Sequence, residues 1–385
     1  REKIKFLYLC HLKQTFSLSG AEAVCRLCRA QEMKNETHPM ELKAFDPDGV
    51  GVDNGTYFGL PFEPGTAELV LVSAPWDVTV SYGAGTAYAP DAVIEASTQL
   101  DFHEPLAPGA WRRGIATADV DYALLEESQR LRGDAEKVIA HLEGGGSPED
   151  DYVVRKVRRI NEGCRAMNAN IGAQAARWLD AGKTVGLVGG DHSTPYGLIR
   201  ALGDRHGEFG ILHIDAHCDL RDAYEGFEFS HASIMFNVLR DVPSVKKIAQ
   251  VAVRDFSGTE AALAASCGRI ATFDDLSLAA AMFRGETWDA LCRRIVDALP
   301  QEVYVSFDID GLTFENCPHT GTPVCGGLTF NQAVWLLDTL VRSGRRIIGF
   351  DVVEVAPAPE AKVDAITGAR MLWKLCNLTL KSNGR

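Results

Sequence analysis

Positive charge is in short supply in this chain. Lysine and arginine number 39 against 52 aspartates and glutamates, a formal net charge of −13. That balance argues against nucleic acid and anionic membrane surfaces as partners. It is compatible with a small cationic partner. A run of about 18 apolar residues is also missing, so no transmembrane helix is expected. The ten cysteines are scattered and do not form the dense framework of a small secreted domain. Cys25 and Cys28 make one CxxC with no second pair, which leaves a zinc ribbon unsupported and reads as ordinary thiols. A reducing cytoplasm fits best. No internal repeat is present.

What the chain does have is length and apolar content. Its 385 residues, 46% hydrophobic, suffice for a large α/β domain with extensions. Residues 1–65 read as an N-terminal extension with an irregular, turn-rich arm, and residues 66–385 as the main domain. The opening stretch REKIKFLYLCHLK is too short in apolar residues for a secretory core. Three readings of the first 33 or so residues stay open: a targeting segment, an artefact of expression, or sequence upstream of a start at Met33 or Met40.

Within the main domain, strand and helix patterns alternate. Apolar β-prone runs cover Leu69 to Ala74, 114–121, a stretch ending at Gly189, another running to Asp219, Val303 to Asp310, and 345–355. Between them lie helical periodicities. Val153, Val157, Ile160, Cys164, Met167, Ile171, Ala175 and Trp178 recur at three and four, as do Trp288, Leu291, Cys292, Ile295 and Leu299. Thr329 and Gln332 form a capping box. This alternation predicts a three-layer α/β/α fold around a mostly parallel sheet.

Polar residues gather where three of these strands end. Asp215, His217 and Asp219 alternate in ILHIDAHCDL, and in an extended strand they would share one face. Asp308 and Asp310 close VYVSFDIDGL, and Asp191 and His192 follow TVGLVGG. Ligands bind at the C-terminal ends of parallel strands. One DxD or DxH at a strand end usually caps a helix or meets solvent. Three of them, each after an apolar strand, call for cations, because carboxylates buried together without counter-charge are very costly. The set His192, Asp215, His217, Asp219, Asp308 and Asp310 exceeds one tetrahedral zinc and suits a pair of harder ions. Cys218 should face away and pack, and His213 reads as a buried neighbour of the site.

At these residues the chain resembles the ureohydrolase family, which includes arginases and agmatinases. The matching stretches are GGDHS (189–193), DAHCD (215–219), SFDIDGL (306–312), TGTPVCGGL (320–328), DVVEVAP (351–357) and the loop PWDVTVSYGAGTAYAPDAV (75–93), spread over roughly 66–380. The tract DLRDAYEG followed by SHAS is most similar to agmatinase. Arg221 stands two residues after Asp219, where arginases usually carry an Asn, which argues against arginine. The segment from Thr313 to His319 departs from the family's usual GLDPxxxPxTGTP, so the pocket lining differs.

The resemblance implies an arginase-like fold and two manganese ions per chain; nickel suits the same donors. One ion would take His192, Asp215, Asp219 and Asp308, the other Asp215, His217, Asp308 and Asp310. It implies hydrolysis by a metal-bridged hydroxide that Asp219 orients, with Glu354 pairing to the guanidinium and His231, at a neutral-range pKa, protonating the leaving amine. The implied reaction is agmatine to putrescine and urea, in polyamine biosynthesis. Guanidinobutyrate, arginine, guanidine and formiminoglutamate are alternative substrates, and a non-catalytic metal-binding relative is the remaining alternative. Asp222, Glu225 or Glu228 would meet the far ammonium of agmatine, and His319 reads as an incidental loop residue. The expected assembly is a homo-oligomer, a trimer or hexamer.

Overall fold

Strand periodicity sorts the apolar side chains into two cores. A computed structural model describes residues 45–358 and 360–384; what was expected of residues 1–44, the Cys25–Cys28 pair included, lies outside the described residues. In β1 (Leu69–Ala74), Leu69 and Leu71 enter one core while Val70, Val72 and Ala74 enter the other. All six residues are buried, as a strand covered on both faces requires.

The remaining strands repeat this at the centre of the sheet and are partly exposed toward its edges. They are β2 (Ile115–Thr117), β3 (Thr184–Gly189), β4 (Phe209–Ile214), β5 (Val245–Val251), β6 (Ile270–Phe273), β7 (Glu302–Asp308) and β8 (Arg346–Val353). They form one sheet in the order β2-β1-β3-β8-β7-β4-β5-β6, parallel at every pairing. One face is covered by α1 (Ala89–Ser97), α7 (Asp275–Phe283), α8 (Trp288–Asp297), α9 (Phe330–Arg342) and α10 (Val363–Asn383). The other carries α2 (Tyr122–Glu143), α3 (Asp151–Asp180), α4 (Tyr196–Gly203), α5 (Ile234–Asp241) and α6 (Gly258–Ser266). The expected three-layer α/β/α architecture is what the chain forms, and the capping box at Thr329 and Gln332 opens α9. Among the described residues, no helix is long and apolar enough to cross a membrane. The described part of the N-terminal arm packs inward. Tyr57 and Phe58 are buried, and the ring of Phe58 lies 5.0 Å from that of Trp373.

Three strand readings need correction. The run ending at Asp219 is not one strand, since β4 stops at Ile214. Side-chain oxygens capture the backbone there: Asp215 Oδ1 accepts from His217 N at 2.6 Å and Asp310 Oδ1 from Ala216 N at 2.9 Å. Such local bonds compete with the ladder. Asp219 then takes φ 53°, in the left-handed region, which no extended strand allows. Strand β7 likewise ends at Asp308, whose Oδ1 accepts from Asp310 N at 2.9 Å. The second predicted strand, 114–121, shortens to three residues.

Four central strands, β3, β8, β7 and β4, are neighbours and point their C-terminal ends the same way. Two glycines let the chain crowd at that edge. A Cβ on Gly190 would sit 1.8 Å from Trp76 O, and one on Gly311 would sit 2.8 Å from Asp215 N. Gly190→Ala is therefore expected to destabilise the fold by about 1–3 kcal/mol or more, as overpacked sites do. Denaturant titration checks this, and an unchanged midpoint would show that the backbone yields there.

Candidate metal centre

Each strand end delivers a side chain to the same point. Nδ1 of His192 lies 2.9 Å from Asp215 Oδ2, 3.0 Å from Asp219 Oδ2 and 3.3 Å from Asp308 Oδ2. Nδ1 of His217 lies 3.4 Å from Asp215 Oδ1 and 3.2 Å from Asp310 Oδ2. Asp215 thus presents one oxygen to each imidazole. All six residues that the sequence nominated meet in one cluster, and five of them are buried, with His217 partly exposed.

The cluster's electrostatics are unbalanced. Burial first, then Asp310 and Asp215, push the Asp308 carboxyl well above the ordinary carboxylate range. Burial and Asp215 raise Asp219. Asp215 is held well below that range despite its burial, because His213, His192 and His217 surround it. Burial resists protonation of both His192 and His217, yet the carboxylates outweigh it and raise both. The site draws positive charge to itself.

Whether divalent cations fit can be judged from the donors. His192 Nδ1, Asp219 Oδ2 and Asp310 Oδ2 are buried and make no well-directed hydrogen bond, although the first two lie 3.0 Å apart and Asp310 Oδ2 lies 3.2 Å from His217 Nδ1. Lone pairs that converge without bonding one another suit a shared cation. Four carboxylates and two imidazoles match hard or borderline divalent ions. His213 lies close enough to count among the donors. Its ring nitrogens are already engaged: Nε2 donates to Asp215 Oδ2 at 2.8 Å, and Nδ1 accepts from Gln250 Nε2 at 3.3 Å. We therefore read it as a support and not a ligand.

Around this cluster stand the other nominated residues. Glu354, just past β8, has φ 60° and is 3% exposed. Its Oε1 accepts from His192 N at 2.8 Å, while Oε2 is buried without a partner. Burial, then Asp191, pushes its carboxyl well above the usual range. Left-handed φ at non-glycine residues costs about 1–3 kcal/mol each and gathers at functional sites. His231 is buried, with Ser230 Oγ 3.3 Å from Nδ1, Ser81 Oγ 3.5 Å from Nε2, and the Tyr224 ring edge-on at 6.1 Å. Burial foremost, then His217, pushes its pKa down to about 3. The neutral-range value expected from sequence is not what these surroundings produce.

The acids proposed for a distant ammonium separate. Glu228 is engaged by Arg165 at 2.6 Å and Arg240 at 3.6 Å. Glu225 turns into a groove of about 380 Å³ against α3, beside Val157 and Arg165. Asp222 alone of the three stays exposed. His319 is not incidental to the fold: its Nδ1 lies 2.7 Å from the fully buried Asp364, which also accepts its backbone N–H at 3.0 Å. Cys218 packs in the core as expected.

Several residues went unassigned in the sequence. Asp191 takes Ser193 N at 2.9 Å and Thr79 Oγ1 at 3.3 Å, and burial pushes it up to about 6. Arg254 donates to the carbonyls of Asp310, Leu312, Val324 and Cys325, fastening that loop over the edge of the sheet. Ser306, Asp351 and Gln250 lie directly beneath the site. Polar residues inside otherwise apolar strands were the signal that could have found these last three.

Residues 67–377 match the model of the arginase family. An N(1)-aminopropylagmatine ureohydrolase of Thermus thermophilus is 30% identical over 319 residues, covering 83% of this chain and 92% of that protein. An agmatinase of Klebsiella pneumoniae is 27% identical over 330 residues, covering 84% and 91%. The solved structure of a proclavaminate amidino hydrolase from Streptomyces clavuligerus superposes with a TM-score of 0.66 over 85% of this chain and 97% of that one, at 21% identity, which speaks to the fold alone.

Saturating the protein with a divalent cation is expected to raise its stability, by about 2.7 kcal/mol at a hundredfold excess over the dissociation constant. Thermal melts of chelated and manganese-loaded protein measure it. A midpoint that ignores the metal would count against this centre.

Proposed function

This chain belongs to the arginase family and is a ureohydrolase-type hydrolase, and from that premise we propose that it holds two manganese ions and hydrolyses agmatine to putrescine and urea. The observation that carries the reading is the convergence of His192, Asp215, His217, Asp219, Asp308 and Asp310, with unpartnered lone pairs turned toward one another. When bound, the ions lower the pKa of water so that it attacks at neutral pH.

The chain's own residues do the rest. Glu354 receives the substrate: Oε1 is fixed by the N–H of His192 and Oε2 is free for guanidinium N–H groups. A cation there offsets the burial that otherwise penalises the carboxylate, and a charge-assisted bond holds the guanidinium carbon in place. Asp219 Oδ2 is an acceptor available to orient the attacking water. His231 enters as a neutral imidazole, so it acts as a relay: it takes a proton and passes it to the departing amine. Water plus agmatine then gives putrescine and urea, with the guanidino carbon–nitrogen bond broken and the amine nitrogen protonated.

N(1)-aminopropylagmatine is the second substrate to weigh, because the Thermus relative carries that name. It differs by an extra aminopropyl group, far from the reacting carbon; Asp222 is exposed, and the loop from Thr313 to His319 departs from the family pattern. A reducing cytoplasm and a homo-oligomeric state complete the reading; the seven described cysteines form no disulfide.

The test is urea release from manganese-loaded protein offered agmatine, N(1)-aminopropylagmatine, guanidinobutyrate, arginine and guanidine. Agmatine should give the highest kcat/KM, with putrescine identified by mass spectrometry. Release from none of them rejects the reading. Glu354→Gln should lower kcat/KM about 10- to 100-fold, the worth of one hydrogen bond to a charged group. His231→Ala should lower kcat about 100-fold or more with KM little changed. A KM effect alone would remove His231 from proton transfer.

A further inference from the structure

One layer beneath the ligand cluster, four polar side chains lie in register across the central strands. Gln250 of β5 pairs with His213 of β4, His213 with Ser306 of β7, and Ser306 with Asp351 of β8. All four are fully buried. Burying such groups between two apolar cores is costly unless each is hydrogen-bonded, and the proposed chemistry gives none of the four a role.

We propose that this row is a positioning platform: Asp351 acting through Ser306 fixes the ring tautomer of His192, and Gln250 acting through His213 fixes the carboxylate of Asp215. The proposal rests on the reading of His192 and Asp215 as metal ligands.

The proton inventory carries the argument. Asp351 accepts from Tyr304 Oη at 2.8 Å and Ser306 Oγ at 2.9 Å through Oδ2, and from Phe307 N at 3.1 Å through Oδ1. Both oxygens face donors, the pattern of an acceptor-only carboxylate, while burial pushes its pKa up. Ser306 has a single proton, and that proton goes to Asp351. Toward His192 Nε2, 2.9 Å away, its oxygen can only accept. Nε2 of His192 therefore carries a proton, and the neutral ring keeps its lone pair on Nδ1, the atom that faces Asp215, Asp219 and Asp308.

On the other arm, Gln250 Nε2 donates to Cys218 O at 2.7 Å, which identifies it as the amide nitrogen, and also to His213 Nδ1 at 3.3 Å. His213 then holds its proton on Nε2 and donates it to Asp215 Oδ2 at 2.8 Å. Partners of this kind orient ligands and raise their basicity, and their loss typically costs 10–100-fold in metal affinity.

Asp351→Asn tests the first arm with a near-isosteric change. The amide NH2 cannot accept the serine proton. With that group toward Ser306, the serine turns its proton to His192 Nε2 and drives the ring proton to Nδ1, where it blocks ligation. Equilibrium dialysis against manganese should show one of two ions bound about 10–100-fold more weakly. The activity lost should return at high manganese with KM unchanged, a rescue that a general loss of structure would not give. Ser306→Ala removes the acceptor and should weaken the same ion, which keeps the test valid should Asp351→Asn fail to fold. Wild-type manganese affinity in either folded variant overturns the proposal. His192→Ala separates the two levels: if it too binds both ions normally, the ligand reading itself has failed.

Discussion

Four carboxylates brought together out of water require counter-charge, and the rest of this site is organised by that requirement. Asp215, Asp219, Asp308 and Asp310 are each less than 5% exposed. Desolvation first, then mutual repulsion, raises Asp308 and Asp219, while the imidazoles of His192 and His217 are drawn toward their charged forms. Such a cluster is sustained by cations. The sheet supplies the rigidity that keeps the acids from moving apart. Glu354, Asp310 and Asp308 each anchor one carboxylate oxygen on a nearby backbone N–H, which leaves Asp310 Oδ2 to face His217 and Asp308 Oδ2 to face His192.

Strain lies where the chemistry would be. Asp219 and Glu354 both adopt left-handed φ without being glycine. Their neighbours hold them there: Asp219 O accepts from Met235 N and Phe236 N at 3.1 Å, and Glu354 N donates to Gly190 O at 2.9 Å. The first pair of bonds also anchors the start of α5 and the turn that carries His231. The same carbonyl that ends one ligand segment thereby sets the position of the proton-relay candidate.

The fold was largely legible because its strands are buried on both faces. β1 was read to the residue, and β3, β7 and β8 to within a few residues, since apolar β-branched runs bounded by Gly and Asp leave little ambiguity. The ligand segment after β4 was misread as extended. Periodicity sees side chains and cannot see that Asp215 and Asp310 take the backbone N–H groups a ladder would need. The surroundings of Glu225 and Glu228 are illegible in sequence for a related reason: Arg165 and the groove beside α3, distant in sequence, are what they meet.

By itself the sequence determined which donors exist, that they follow apolar strands, and which family the motifs resemble, because spacing and composition are local properties. The tertiary structure decided what those donors can do. Strand order made β3, β8, β7 and β4 neighbours; register aligned Gln250, His213, Ser306 and Asp351; and burial pushed the pKa of His231 down to about 3. Each of these depends on segments far apart in the chain meeting in a water-poor interior, where a single neighbour's proton or charge outweighs any intrinsic preference.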